Sequence, residues 1–542
     1  MPSTPTTKSQ VQAYRFVLRR MQSALVRKDA VMLHDPMRTH SRATVVGVCL
    51  AALGLLGFLI WGILSPKPKA PDEDGIVIGK PSGQVYVLIA KPDKKLIPVF
   101  NMASARLLLM AQKDKGSEGG DAQAAGQQSG GPTPQVVAPT VVDDNELRDI
   151  PKGRKTGIAD GPDLLPSADQ RIESRWTVCD QYMLDRTLPD PAKENKVETT
   201  VIAGVDELGP MLKQNESLLV RAPNEKTYLV YRTPGTANLP NTSAVRAEID
   251  IEDARVREAL ELTGIEPRVI TTGMLNAIPE KARLASPTIR GRDTDSNVDL
   301  GDPELRKVGS VFEVERAGDV TRTYVVLKDG IEEVKRSTAN LIRYYRNLGN
   351  ARITAVNPDR IAGVPQPDEI DDTTFPERDT EVLDPENFPV ACLAWSYSGE
   401  GANAEEFTAV HVGKQLPGIK LDSKGKPKTV AISSPNADGV RIDHFYMPPG
   451  RGAVVRQATS PADFGSGQIT LISDRGVKYG VPDSKTAAGL GLDNQKPAPR
   501  NIIQLLPDGA SLSVKDVEQS YDSTPFGPGQ YPPRTEEAQG GG

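Results

Sequence analysis

The sequence predicts a single-pass membrane protein: a short basic amphipathic helix, one membrane-spanning helix and a large β-rich α+β body outside the membrane. In that body we expect a central core and four repeat domains in a quasi-twofold arrangement. Three observations predict this fold class: one long uncharged apolar run, an excess of positive charge before it, and a motif that recurs after it. The 542 residues, with 25% charged and 38% hydrophobic side chains, are typical of a folded chain of several domains.

The apolar run covers residues 44–64 and contains 21 residues without a charge. At about 1.5 Å per residue, a helix of this length spans roughly 31 Å, which matches the hydrocarbon core of a bilayer. A cleaved signal peptide is the alternative, but its apolar region would have only about 7–15 residues and lie closer to the N-terminus. We therefore expect a retained transmembrane helix.

The charge distribution predicts the orientation of this helix. Residues 1–43 contain eight Lys/Arg and two Asp/Glu, a net charge of +6, so the rest of the chain carries −12. Positively charged flanks stay in the cytoplasm. We expect the N-terminus inside and the acidic body outside the inner membrane, in the periplasm. The overall net charge of −6 excludes a generally basic nucleic-acid-binding protein.

The cytoplasmic arm has a helical pattern of its own, because its apolar residues recur at steps of three and four. The seam consists of Val11, Tyr14, Leu18, Met21 and Leu25, and the basic residues beside it include Arg15, Arg19 and Arg20. A basic amphipathic helix can lie on an anionic membrane surface or dock on a partner. Topology alone would explain the charges but not the regular seam, so we predict docking on a partner.

Three cysteines exclude a disulfide-dense scaffold. Cys49 lies within the apolar run, whereas Cys179 and Cys392 lie in the exported body, where an oxidising compartment favours pairing. We expect a disulfide between these two, and the chain-entropy model gives on the order of 5 kcal/mol for so long a loop. A reactive single thiol and two buried unpaired thiols are the alternatives.

A short apolar motif that ends in proline occurs four times in the body. Its copies are residues 147–151, 275–279, 360–365 and 503–507. Each copy follows a strand-like stretch, in the order 84–90, 227–231, 323–327 and 468–472. The spacing from Pro151 to Cys179 is 28 residues and that from Pro365 to Cys392 is 27, which indicates a layout of repeat, cysteine segment and repeat that occurs twice.

This layout predicts the domain boundaries. We expect the arm at 1–43, the transmembrane helix at 44–64, a linker at 65–74, repeat 1 at 75–165, the first core half at 166–215, repeat 2 at 216–300, repeat 3 at 301–370, the second core half at 371–462, repeat 4 at 463–520 and a disordered tail at 521–542. A Gly/Gln/Ser-rich stretch at 113–135 predicts a flexible insertion in repeat 1.

The sequence contains none of the common catalytic motifs. A P-loop, a Gly-x-Ser-x-Gly elbow and a His-Glu-x-x-His helix are absent, and the exported histidines are only His411 and His444. We expect no catalysis, no cofactor and no metal, although plentiful carboxylates leave a two-carboxylate hydrolase open. A structural subunit, a cell-wall-binding module and an exported nucleotide hydrolase are the three functions considered, and the first is the leading one.

Several stretches resemble the EccB family, the single-pass membrane component of type VII (ESX) secretion systems. They are residues 11–21, 35–36, 98–107, 176–180, 309–312, 324–330 and 476–482. The resemblance runs in order from about residue 8 to about residue 520, and the 113–135 insertion and a gap after Asp180 depart from it. It implies a structural subunit that anchors and assembles the outer part of a membrane complex. The implied partners are the ATPase EccC, EccD, EccE, a mycosin protease and other EccB copies.

Overall fold

Two units make up the chain, Met1–Lys69 and Ala70–Gly542. The computed structural model describes residues 7–28, 36–64, 69–117, 136–183, 187, 196–233, 244–316, 320–346, 352–433, 440 and 442–518. The predicted tail at 521–542 and most of the predicted insertion, 118–135, lie outside these residues.

The N-terminal unit contains two helices, α1 (Lys8–Arg27) and α2 (Pro36–Leu64). Helix α1 begins with a capping box, in which Thr7 and Gln10 each accept a hydrogen bond from the backbone N–H of the other. Helix α2 begins at a proline, a residue that fits the first helical turn because its missing N–H would have no partner there. Residues 36–43, expected in the arm, are therefore helical and continuous with the apolar run.

Four outer sheets of the second unit are built alike: three antiparallel strands, a helix, and a fourth strand parallel to the first. The order of these four strands in each sheet is third, second, first, fourth, and the second sheet has two further short strands. A parallel return requires a crossover connection, and the helix supplies it.

The elements of each outer sheet follow in chain order. Sheet one contains β1 (Gly75–Lys80), β2 (Val85–Ile89), β3 (Lys95–Pro98), α3 (Met102–Ser117) and β4 (Thr140–Asp143). Sheet two contains β7 (Glu216–Arg221), β8 (Thr227–Arg232), β9 (Ala244–Ile249), α4 (Ala254–Ala259), β10 (Arg268–Val269), α5 (Thr272–Ala277) and β11 (Glu280–Lys281). Sheet three contains β12 (Val311–Arg316), β13 (Val320–Val326), β14 (Ile331–Val334), α6 (Arg336–Tyr345), β15 (Thr354–Ala355) and α7 (Pro358–Ile361). Sheet four contains β21 (Gly452–Ala458), β22 (Ile469–Ser473), β23 (Lys478–Val481), α8 (Ser484–Leu490), β24 (Lys496–Pro499), α9 (Arg500–Ile503) and, after it, α10 (Val514–Val517).

The proline that ends each recurring motif has the same structural role in all four sheets. Its carbonyl oxygen accepts a hydrogen bond from a backbone N–H of the third strand. The pairs are Pro151 with Leu96 (2.8 Å), Pro279 with Arg246 (2.9 Å), Pro365 with Ile331 (2.9 Å) and Pro507 with Lys478 (3.0 Å). Because proline has no N–H, it accepts a hydrogen bond from the third strand but donates none. The ladder of backbone hydrogen bonds therefore does not continue at the proline. The motif therefore occupies the edge of its sheet.

A fifth sheet forms the core. Its strands are β5 (Trp176–Met183), β6 (Lys196–Ala203), β17 (Val390–Ser398), β18 (Glu405–Gly413), β19 (Val430–Ala431) and β20 (His444–Tyr446), in the order β18-β17-β5-β6-β20-β19. One face, with Trp176 and Leu393, packs on residues of sheets two and four. The opposite face, with Cys179 and Cys392, forms a small cluster with Leu416 and Ile419.

The outer sheets share their hydrophobic cores in pairs. Leu107 of α3 and Leu490 of α8 belong to one cluster, which joins sheets one and four. Ala259 of α4 and Leu341 of α6 belong to another, which joins sheets two and three. A twofold operation that exchanged the two halves of the body would turn the pair of sheets one and four into the pair of sheets three and two. Each outer sheet thus buries one side against a neighbour, which small domains need for stability.

The structure differs from the predicted boundaries at four places. Strand β21 belongs to sheet four, so repeat 4 begins near Gly452 and not at 463. Ile289 packs with sheet three, which places the end of predicted repeat 2 in repeat 3. Strand β16 (Glu381–Val382) pairs with β7, so part of the predicted second core half joins sheet two. Helix α3 continues to Ser117, inside the predicted insertion. The first three differences depend on contacts between residues that are distant in sequence. The fourth arises because helix α3 continues past the point at which the composition changes.

Candidate functional site

All eight residues predicted for docking lie on helix α1. The apolar seam is exposed, with Tyr14 at 67% and Leu25 at 81% of full exposure, and Arg15, Arg19 and Arg20 are exposed as well. Exposed apolar side chains at helical spacing leave unburied surface that a membrane or a partner can cover. The eight residues thus lie on one helix with exposed side chains, while the docking surface and its partner remain predictions.

Helix α2 has the length and composition of a membrane span. The segment Arg42–Gly62 has 21 residues and a mean hydropathy of 2.5, and its side chains are exposed. A helix satisfies its own backbone groups, so such a segment is stable in lipid. Cys49 lies on this helix and is unpaired.

The core sheet contains a disulfide between Cys179 of β5 and Cys392 of β17. These strands are antiparallel neighbours, and the two cysteines lie directly opposite each other with 3.9 Å between their Cα atoms. Both side chains are buried. The bond therefore joins the two core halves at the centre of the sheet and excludes the reactive-thiol and unpaired-thiol alternatives.

A second link, between the core and sheet two, involves charges that the sequence reasoning missed. The buried Asp180 carboxylate accepts hydrogen bonds from the Thr271 N–H (2.7 Å), the Thr271 hydroxyl (2.8 Å) and the Thr199 hydroxyl (2.9 Å). The buried Arg268 donates to the carbonyl oxygens of Phe388 and Pro389, both at 2.9 Å. The available signal was Asp180 within the otherwise uncharged strand β5, whereas β10 consists only of Arg268 and Val269 and gives no such signal.

The electrostatics of this link follow from burial. Desolvation raises the pKa of Asp180, and the hydrogen bonds from Thr271 and Thr199 and the nearby Arg268 charge act against that rise. Desolvation likewise lowers the pKa of Arg268 to about 10, so the guanidinium remains charged at neutral pH. The link is therefore a network of hydrogen bonds around one buried cation and one buried carboxyl.

We expect the destabilisation caused by Asp180→Asn to be largest at acid pH and to shrink as the pH rises. A carboxyl with a raised native pKa contributes full stability below its unfolded value of about 3.9, and this contribution is lost as the pH rises through the native value. Asparagine does not titrate, so the variant does not lose this stability contribution as the pH rises. Urea unfolding followed by tryptophan fluorescence above about pH 4 measures the effect. The exposed Asp359→Asn is the control, and a pH-independent difference for Asp180→Asn would contradict the expectation.

The two histidines of the body have packing roles. His411 Nδ1 lies 3.0 Å from the carbonyl oxygen of Gly209, and burial lowers the pKa of His411. His444 lies 3.2 Å from the Thr429 hydroxyl and 3.6 Å from Glu198. Among the described residues, no group of three His, Cys, Asp or Glu side chains is arranged to hold a metal ion.

An open cleft of about 460 Å³ lies beside the disulfide, lined by Glu207, His411, Lys414 and apolar neighbours. Its described lining offers one imidazole that is engaged with a backbone carbonyl, and it lacks the paired nucleophile and base of a hydrolytic site. Trp176 and Trp395, the tryptophans of the body, are buried at 0% and 4% exposure. They are therefore not available to stack on sugars.

Comparisons with known proteins agree with this architecture. The family model described as "Type VII secretion system ESX-1, transport TM domain B" matches residues 3–526. The chain is 29% identical over 534 residues to the ESX-1 secretion system ATPase EccB1 of Mycolicibacterium smegmatis, covering 96% of this chain and 97% of that protein. It is 28% identical over 539 residues to the ESX-3 secretion system ATPase EccB3 of the same species, covering 96% and 92%.

Solved structures share the fold. A chain of the intact ESX-5 inner membrane complex superposes with a TM-score of 0.64 at 22% identity, covering 98% of both chains. The EccB3 dimer from the ESX-3 core complex gives 0.63 at 24% identity, covering 82% of this chain and 100% of that chain. The family model spans nearly the whole sequence, the described residues contain one helix able to span a membrane, and a disulfide-joined β body follows it in the sequence. This chain belongs to the EccB family of type VII secretion proteins.

Proposed function

We propose that this chain is a structural, non-catalytic subunit of a type VII secretion inner membrane complex, which it anchors and helps to assemble. The observation that carries the proposal is the family match over residues 3–526, which includes the arm, the membrane helix and the body. Solved relatives come from an inner membrane complex and from a dimer, which supports assembly as the role. The arm lies in the cytoplasm, and the body lies in the periplasm.

The arm docks on a cytoplasmic-side subunit of the EccC, EccD or EccE type. Its apolar seam and the flanking arginines are exposed on α1, so burial of the seam would stabilise a complex at roughly 25 cal/mol per Å² of apolar area. The body contacts other copies and a mycosin protease. When one weak contact of an anchored chain has formed, the effective concentration of the partner for the next contact is raised.

A missing motif and the charge of the body support the absence of catalysis. Curated relatives are named ATPases, but this sequence has no P-loop, and a phosphate site needs backbone amides and a lysine arranged around the phosphates. The acidic body, with a net charge of −12 after residue 43, also repels nucleotides. Nucleotide hydrolysis that stays with the highly purified chain, and is abolished by one side-chain change, would contradict this part of the proposal.

We expect the triple variant Tyr14→Ser, Leu18→Ser and Met21→Ser to insert normally in the membrane and to lose its cytoplasmic-side partner on co-purification. The variant removes three of the five apolar residues of the seam, while the arginines that set topology remain. The measurement is detergent extraction followed by mass analysis of the proteins that co-purify. Gln12→Ala with Ser23→Ala, on the opposite side of α1, is the matched control. Unchanged co-purification of the triple variant would defeat the docking role.

A further inference from the structure

A basic hairpin lies in the segment between β18 and β19, the two edge strands of the core sheet. Residues 414–428, here called the lysine hairpin, contain five exposed lysines: Lys414, Lys420, Lys424, Lys426 and Lys428. Its single acidic residue, Asp422, accepts hydrogen bonds from the backbone N–H groups of Lys424 (2.8 Å) and Lys426 (2.9 Å). Among the described residues, none of the five ammonium groups forms an ion pair. The hairpin therefore carries a net charge of +4 that is open to solvent.

The lysine hairpin is held in place by apolar packing at its base. Leu416 and Ile419 pack against Cys179 and Cys392 on the disulfide face of the core sheet. The chain then turns back on itself, with hydrogen bonds from Asp422 N to Lys426 O (2.8 Å) and from Lys428 N to Lys420 O (3.0 Å). A charged surface on a fixed hairpin loses little conformational entropy on binding.

The chain also contains a surface of opposite charge. Residues 366–386, here called the acidic connector, contain nine Asp/Glu and one Arg, a net charge of −8. Seven of the carboxylates are exposed: Asp368, Glu369, Asp371, Glu377, Glu381, Asp384 and Glu386. One of the partly buried carboxylates, that of Asp379, lies 3.8 Å from Arg336 in an ion pair.

The acidic connector is also fixed. Asp372 accepts hydrogen bonds from Lys335 N (2.7 Å) and the Thr338 hydroxyl (2.9 Å) at the start of α6, and Glu381–Val382 pairs with β7. Besides burial, the charges of Asp368 and Asp372 raise the pKa of the neighbouring Glu332. Burial is the largest cause of that rise, and the two neighbouring carboxylates add to it because they disfavour a further negative charge.

From these two surfaces we infer that the lysine hairpin of one copy binds the acidic connector of a second copy of this chain. Among the described residues, no ion pair joins the two surfaces within one molecule, so both remain available between molecules. Opposite charges of +4 and −8 attract over distances up to about the Debye length and align the two copies. If the contact is reciprocal about a twofold axis, it forms twice.

This inference deepens the proposed assembly role and names a contact for it. The test uses the full-length chain in detergent, with two affinity tags on separate preparations. One variant reverses the hairpin with Lys424→Glu, Lys426→Glu and Lys428→Glu. The other reverses the connector with Asp368→Lys, Glu369→Lys and Asp371→Lys. The control, Lys91→Glu, Lys95→Glu and Lys113→Glu, makes the same charge change at exposed lysines of repeat 1.

We expect each reversed variant to self-associate at least about tenfold more weakly than wild type, because like charges then face each other. An equimolar mixture of the two variants should regain association, since the reversed hairpin meets the reversed connector. The control should match wild type, and recovery in the mixture also shows that both variants are folded. Lys→Gln at the same hairpin positions should give a smaller loss.

Three outcomes would overturn the inference. If the hairpin variant self-associates as strongly as wild type, the contact does not exist, although the proposed assembly role is not contradicted. Loss of self-association in both variants without recovery in the mixture shows that the two surfaces do not meet. If the hairpin variant alone loses binding to vesicles that contain about 30% phosphatidylglycerol, while the connector variant is unaffected throughout, the lysines bind an anionic lipid surface and not a second copy.

Discussion

Replacing Cys179 and Cys392 together with serine is expected to lower the free energy of unfolding of the outer unit by about 2–5 kcal/mol. The bond connects residues 213 positions apart, so its loss frees a long loop in the unfolded chain. It also removes the disulfide cross-link between the two core halves, which then meet only through hydrogen bonds and packing, including the pairings of β5 with β17 and of β6 with β20.

The melting temperature should fall by roughly 2–5 °C, because a unit of this size loses about 1 °C for each kcal/mol or so. Scanning calorimetry of the full-length chain in detergent measures the change, and a reductant should lower the wild-type value towards that of the variant. Cys49→Ser is the matched control, since that thiol lies on α2 and is unpaired. An unchanged melting curve, or two reactive thiols in the body of the native protein, would contradict the structural role of the bond.

Replacing Arg268 with methionine is expected to destabilise the outer unit by about 3–5 kcal/mol, a range typical of removing one member of a buried charge network. The side chain is 4% exposed and donates to the carbonyl oxygens of Phe388 and Pro389. Methionine fills much of the volume but leaves both oxygens without these donors. It also leaves the buried Asp180 carboxyl without its nearby cation.

Denaturant unfolding of the variant measures this effect, with the exposed Arg290→Met as control. Combining Arg268→Met with Asp180→Asn provides a sharper test. Because the uncompensated charge disappears in the double variant, its destabilisation should be smaller than the sum of the two single effects. Strictly additive effects would show that Asp180 and Arg268 act independently.

The structure explains why four small sheets form one outer unit. Each has too small a core to be stable alone, and each shares a hydrophobic cluster with another sheet or with the core. Sheets two and four pack on the same face of the core sheet, whereas the disulfide face is covered by the segment that carries the lysine hairpin. The exposed surfaces of this segment and of the acidic connector are therefore where contacts with other molecules are expected.

Local patterns made part of this fold predictable. The 21-residue apolar run and the positive charges before it are properties of consecutive residues, and they correspond to α2. The apolar seam of the arm has the period of α1 for the same reason. The recurring proline motif was visible as a repeated string, although its hydrogen bond to the third strand was not.

Other features depended on contacts that no local pattern contains. The sequence did not show that β21 begins sheet four, because strand assignment to a sheet depends on its partner β24, some forty residues away. The Asp180 and Arg268 link was missed because each charge looks unfavourable in a buried strand until its hydrogen-bond partners are known. The lysine hairpin was not recognised as a surface, since exposure is a tertiary property.

By itself, the sequence determined the membrane helix, the basic amphipathic arm, the β-rich character of the body and the two cysteines able to pair, because each follows from composition, short-range periodicity or compartment. Only the tertiary structure decided which repeats share a core, where repeat 4 begins, and which charges are buried in a network and which are exposed at the surface. The physical reason is that packing energy and desolvation depend on which distant segments meet, and that choice is made by the whole chain at once.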